Sequence, residues 1–266
     1  MKEVTFEESR KIQLDILLYF DDFCKKNQIN YSLGEGTLIG AIRHKGFIPW
    51  DDDIDLLMPR ADYEKFLKIY NGKYRLISLE TERLWWSCYS RLSDERTIVE
   101  FENDNPKFNY HGLWISLLPV DNYPDDDNDW KKAMIKVNRY MWLMRKKYYY
   151  RTNKKLSFGD IHRVATKALL CCIPFNYIGH QMEKCITQFN NKKTKCKGSM
   201  ACLWHAPWVC NAEVFDGFVD VEFEGYQLPV IKGYDTYLKK QYGDYMQLPP
   251  EDKRVAKHDY KAYWKD

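Results

Sequence analysis

The stretch Tyr31–Arg60, YSLGEGTLIGAIRHKGFIPWDDDIDLLMPR, decides the fold. It joins a glycine turn, a short cationic helix and an acidic block that runs into an apolar segment. Ile29 to Leu33 reads as a short strand that stops at Gly34. Gly34-Glu35-Gly36-Thr37 is a turn, and Leu38 to His44 is a helix ended by Lys45-Gly46. Asp53 to Met58 passes from alternating to wholly apolar, as a strand entering a core does, and Pro59 closes it.

Side chains of an extended chain alternate faces, so Asp51, Asp53 and Asp55 are expected on one face and Ile54, Leu56 and Met58 on the other. Carboxylates two residues apart lie roughly 6.6 Å apart at Cα, close enough to converge on one hard cation. A solvated acidic turn is the bland alternative. The apolar residues that follow argue against it, because they carry the acids towards the core, where unpaired carboxylates are costly. An EF-hand is excluded: Leu56 stands where that loop needs glycine, and Asp62 where it needs glutamate. The Gly34–Thr37 turn opens a helix whose N-terminus is suited to an anion, yet it is neither a P-loop nor a dinucleotide-binding fingerprint.

Outward from this stretch, Thr5 and Glu8 form a capping box for a helix from Phe6 to Lys26. A helix from Ala61 to Tyr70 follows the acidic strand. Strands are expected at Tyr74–Leu79, Trp86–Leu92, Thr97–Phe101 and Gly112–Val120. The second half is more helical. Trp130, Met134, Val137, Met141 and Met144 form an apolar stripe, and a second helical region runs from Phe158 to Asn190 with a break at Pro174. Asn191–Ser199 reads as a polar loop, Val219–Phe223 and Tyr226–Val230 as a hairpin, and Tyr234–Tyr242 as a short helix. The expected fold is α/β of the α+β kind: a mixed sheet with flanking helices in residues 1–124. Residues 125–266 form a mostly helical half that packs on it and closes the cleft.

The 266 residues are 45% hydrophobic and 30% charged, which fits a globular protein, and the net charge of +3 is too mild to imply a nucleic-acid binder, so no nucleic-acid partner is expected. No signal segment opens the chain and no apolar run reaches the length of a membrane span, so a cytoplasmic protein is expected. The 8 cysteines are scattered, as reduced thiols would be.

Gly36 to Tyr63, GTLIGAIRHKGFIPWDDDIDLLMPRADY, resembles the signature of the LicD family of phosphotransferases, which is similar to fukutin and fukutin-related protein within the nucleotidyltransferase-fold superfamily. Arg91-Leu-Ser-Asp94 with Thr97, Gly112–Ile115, Leu118–Asp121 and the block Phe223–Pro250 with Arg254 and His258 extend the resemblance over most of the chain. It implies transfer of phosphocholine, or a related phospho-alcohol, from CDP-choline or another CDP-alcohol to a hydroxyl of a glycan or glycolipid precursor. Asp53 and Asp55 would hold Mg²⁺ or Mn²⁺. Gly36 and Thr37 would cradle a phosphate, with Arg43, Arg60, Arg91 and His258 as further substrate contacts. Ser116 stands where many relatives carry an aspartate, so Asp121 is the candidate third acid, as ligand or base. Two other readings stay open: transfer of a nucleoside monophosphate to a small molecule, and a non-catalytic nucleotide-binding protein. Trp85, Trp86 and Tyr89, or Trp204 and Trp208, could box a quaternary ammonium or simply pack a core. The basic run Arg145–Lys147, continued by Arg151, Lys154 and Lys155, is either a solvated face or a peripheral contact with an anionic membrane.

Overall fold

The computed structural model describes residues 1–101, 111–148, 168–201, 208–255 and 260–266. Helix α1 (Phe6–Asn27) starts at Thr5, whose hydroxyl accepts from the Glu8 N–H while the Glu8 carboxylate accepts from the Thr5 N–H. Its apolar stripe buries Ile12, Ile16, Leu17 and Phe20. Strand β1 (Ser32–Leu33), helix α2 (Glu35–His44), strand β2 (Asp55–Pro59) and helix α3 (Arg60–Ile69) follow. Strands β3 (Arg75–Ile77), β4 (Ser90–Ser93), β5 (Thr97–Phe101) and β6 (Trp114–Tyr123) complete the first half.

The second half opens with helices α4 (Asp127–Tyr148) and α5 (Phe175–Thr187), the latter capped by Pro174, which cannot continue a helix backwards. Strands β7 (Cys196–Ser199) and β8 (Trp208–Asn211) come next. The hairpin β9 (Phe218–Phe223) and β10 (Tyr226–Ile231) turns at Glu224 and Gly225, both at positive φ, as a tight two-residue turn requires. Helix α6 (Tyr234–Tyr242) ends at Gly243, and β11 (Tyr260–Trp264) is the last element.

Among the described residues one mixed sheet of seven strands runs β1-β2-β6-β4-β3, with β7 on β6 and β8 on β7. Strands β2 and β6 are parallel, and the other pairs are antiparallel. Strand β6 is longer than the sequence suggests because two partners share its outer edge. Its first half pairs with β4 and its second half with β7. The β7 segment, Cys-Lys-Gly-Ser, has no strand propensity of its own; the open edge of β6 draws it out of the expected polar loop. Strand β11 pairs with β5 in a separate two-stranded sheet.

Ile54, Leu56, Leu57 and Met58 are at most 1% exposed and belong to the main core with the α1 stripe. Burying four such side chains stabilises by roughly 6–12 kcal/mol. That anchor holds the acid-bearing segment in place. A second core joins α4 to α5 through Val137, Met141, Met144, Ile178 and Met182.

Candidate active site

The glycine turn and the acidic strand meet through their backbones. The Gly34 N–H donates to the Asp55 carbonyl at 2.8 Å, and the Asp55 N–H donates to the Thr37 hydroxyl at 3.0 Å. Thr37 is buried, so its hydroxyl ties β2 to the first turn of α2. Gly36 is required for a close approach: a Cβ there would lie 2.6 Å from Asp51 Oδ2. The group seated against the Gly36 backbone is thus a carboxylate of the protein itself, at the electropositive end of α2.

Residues 51–54 are not in a strand; β2 begins at Asp55. The expected alternation of Asp51, Asp53 and Asp55 therefore does not apply, and Asp52 joins the cluster instead. Carboxylate oxygens of Asp51, Asp52 and Asp53 all lie within 4.8 Å of one another. The loop is held by its carbonyls: Arg10 donates to Asp51 O at 2.9 Å, and Gln13 and Tyr260 donate to Asp52 O at 2.9 and 3.1 Å. Three acids that converge this closely form a hard all-oxygen donor set of the kind that fits Mg²⁺ or Mn²⁺.

A fifth acid, Glu35, lies near them, and no local pattern singles it out. It takes a left-handed φ of 49°, rare for a residue with a side chain, and its carboxylate accepts from the Tyr237 and Tyr242 hydroxyls at 2.8 and 3.0 Å. Burial, joined by the negative charges of Asp55 and Asp53, pushes its carboxyl up to about 8 against the opposing effect of the two tyrosines. It stands between two glycines, but its burial depends on α6, some two hundred positions away.

The sheet register supplies the cation of the site. Asp55 pairs with Ser116, and Ser116 pairs on its other side with Arg91. These three residues form one cross-strand row on one face, with Arg91 about 10 Å from Asp55 at Cα across two strand spacings. The Arg91 guanidinium lies 4.0, 5.1 and 5.8 Å from the ring centroids of Trp114, Trp85 and Tyr89. The aromatic box that the sequence offered to choline is therefore filled, in part, by the protein's own cation. Arg91 has no carboxylate partner among the described residues, and its Nε is buried without a hydrogen-bond partner. Its Nη1 lies 3.4 Å from His111 Nε2, which must accept because arginine only donates; the His111 proton then sits on Nδ1, 3.3 Å from Gly112 O. Burial, reinforced by Arg91, holds the His111 imidazole down at about 3, so it stays neutral at physiological pH.

The other expected site residues are not brought together here. Asp121 lies five residues beyond Ser116 on β6, roughly 16 Å along the strand, and the odd spacing turns it to the opposite face. There Arg60 grips it with Nε–Oδ1 at 2.7 Å and Nη2–Oδ2 at 2.8 Å, while Asn190 donates to Oδ1 at 2.6 Å and Glu183 takes Arg60 Nη1 at 3.0 Å. This register sets Asp121, expected as a third acid, apart from Asp53 and Asp55 and pairs it with Arg60, expected as a phosphate clamp. Arg43 is committed elsewhere too, donating to His44 Nε2 and to the carbonyls of Tyr245 and Gln247. His258, Trp204, Arg151, Lys154 and Lys155 lie outside the described residues. A cavity of ≈ 670 Å³ opens at the far ends of β2 and β6, lined by Pro59, Arg60 and Asn122 among others, and none of Asp51–Asp55 borders it.

In this mixed sheet a glycine turn packs on a strand that is entered directly from an acidic loop. The model of the LicD/FKTN/FKRP nucleotidyltransferase domain matches residues 28–165, which include the glycine turn, the acidic loop and strands β1 to β6. The chain belongs to the LicD family. It is 32% identical over 275 residues, 99% of each chain, to the lipopolysaccharide cholinephosphotransferase LicD of Haemophilus influenzae. Over about a hundred residues, 38% of this chain, it is also similar to uncharacterized proteins of Rickettsia prowazekii (58% identical) and Rickettsia typhi (34%).

Proposed function

We propose that this chain is a divalent-cation-dependent transferase that moves phosphocholine from CDP-choline, or a related phospho-alcohol from its CDP ester, to a hydroxyl of lipopolysaccharide or a similar cell-surface glycan. Full-length similarity to the Haemophilus influenzae enzyme supports the reaction class. The observation that carries the reading is the row Asp55–Ser116–Arg91: an acid at the end of the acidic loop and an arginine with no ion-pair partner among the described residues share one face of the sheet.

Asp51, Asp52 and Asp53, whose carboxylate oxygens converge, would hold Mg²⁺ or Mn²⁺, with Asp55 two residues further on as an additional acid. Bound there, the cation would neutralise pyrophosphate charge and that of the leaving CMP. Arg91 supplies donors to a phosphate oxygen from the other end of the row, in a partly dry setting where a charge-assisted hydrogen bond is strong. Ser116 is small and buried between them in the row. Thr37 and Gly34 keep Asp55 in place, and Arg10, Gln13 and Tyr260 hold the loop that carries the other acids.

A panel of CDP-alcohols incubated with Mg²⁺ and an acceptor glycan tests the proposal. CMP release that requires both the acceptor and the cation is the expected result. Pyrophosphate release from CTP or ATP would instead make the chain a nucleotidyltransferase, and binding of CDP-choline without turnover would make it a binding protein.

A further inference from the structure

Helix α4 has two opposed faces, and among the described residues only one of them packs against the fold. Ala133, Val137, Met141 and Met144 are buried, the last three in the core shared with α5. The outward face carries Ile135 and Trp142, two turns apart and 56% and 53% exposed, with Asn138 and Arg139 between them. Lys146 follows one turn later, its Nζ 5.5 Å from the Trp142 ring centroid.

The charge on this helix is one-sided. From Lys131 to Lys146 it carries six cations and no carboxylate. Lys132 pairs with Asp129 at 3.3 Å at the start of the helix. Lys131, Lys136, Arg139 and Lys146 have no ion pair among the described residues. Lys147 does not belong to the patch: it is buried, and its ammonium donates to the Leu170 and Cys171 carbonyls.

We infer that the outward face of α4 docks this protein on an anionic phospholipid bilayer. A half-exposed tryptophan with an aliphatic residue two turns away suits the headgroup boundary, where an indole keeps its N–H wet and buries its ring. Surrounding cations without local acids gain from a negatively charged lipid surface, each adding to the attraction within a Debye length. Nucleic acid is a poorer match, because a polyanion groove gives no apolar layer for Ile135. A second copy of the chain is poorer still, because isologous pairing would set this cationic stripe against itself. The surface stands on α4 alone and does not depend on the transferase reading.

Sedimentation with phosphatidylcholine vesicles, with and without phosphatidylglycerol, tests it. Wild-type protein is expected to pellet with the phosphatidylglycerol vesicles at low salt and to be released at high salt. Arg139→Glu with Lys146→Glu should weaken that partitioning at least tenfold, and Trp142→Ala several-fold, with unchanged melting temperatures because none of these side chains is in a core. Reversing the exposed Lys11 and Lys68, on α1 and α3, should change it little and so separates a local patch from net charge. Equal binding to neutral vesicles, equal loss from the Lys11/Lys68 variant, or full binding by the α4 variants would overturn the inference. So would displacement of the vesicles by RNA, or a dimer that dissociates when Trp142 is removed.

Discussion

Removing Asp121 separates a catalytic acid from a structural one. Its side chain is 0% exposed and meets Arg60, itself 10% exposed, through two hydrogen bonds of 2.7 and 2.8 Å, with Asn190 as a third partner. Deleting one partner of such a buried pair leaves an uncompensated charge, at a cost of about 3–5 kcal/mol. Glu183 still takes one Arg60 nitrogen at 3.0 Å, which places Asp121→Ala near the lower limit. For a chain of this size that corresponds to a fall in Tm of about 6–12 °C. Thermal melting by circular dichroism reads the loss directly. Below the melt, the folded fraction should keep the wild-type KM for donor and the same divalent-cation dependence. The double variant Arg60→Met with Asp121→Leu should recover much of the stability, since apolar replacement removes both charges at once. An Asp121→Asn protein with wild-type Tm and no detectable turnover would refute the reasoning, because the side chain would then act on the chemistry rather than on the fold.

Asp53→Asn and Asp55→Asn should each lower CMP release by about 10²–10³-fold and weaken the Mn²⁺ signal seen by electron paramagnetic resonance, with little change in Tm. Arg91→Met should reduce kcat/KM by about 10–200-fold, the equivalent of one charge-assisted hydrogen bond, and survival of full activity would remove Arg91 from the phosphate site. Glu35 predicts a pH effect on stability. Its folded carboxyl at about 8 lies above the unfolded 4.5, so the folded state binds more protons between these values and stability falls as pH rises through that window. The drop is on the order of 4 kcal/mol without divalent cations, and denaturant titrations of Glu35→Gln should show it largely abolished. Gly36→Ala should displace the Asp51 carboxylate that lies 2.6 Å from the new Cβ and weaken cation binding, which isothermal calorimetry can measure.

What the chain determines locally was legible without coordinates. The Thr5–Glu8 capping box, the α1 stripe, the stop at Gly243 and the Glu224-Gly225 hairpin all sit where the residues imply, because each depends on neighbours within a turn or two. The acid block was legible as well, since Leu56, Leu57 and Met58 immediately follow it and draw it into the core. The parity of the Ser116–Asp121 interval was also open to inspection, and an odd interval along a strand already turns the two side chains apart.

Tertiary structure decided the rest, because the contacts concerned are remote in sequence. No local pattern shows that Tyr237 and Tyr242 bury Glu35, that Trp114 covers Arg91, or that Arg60 and Asn190 lock Asp121. Strand β7 illustrates the same limit: its residues prefer a loop, and pairing with β6 overrides them. The sequence thus determined which residue types are present for phosphate and metal chemistry. The register of β2, β6 and β4 determined which of them face one another, because pairing across a sheet is set by the whole core and not by any one strand.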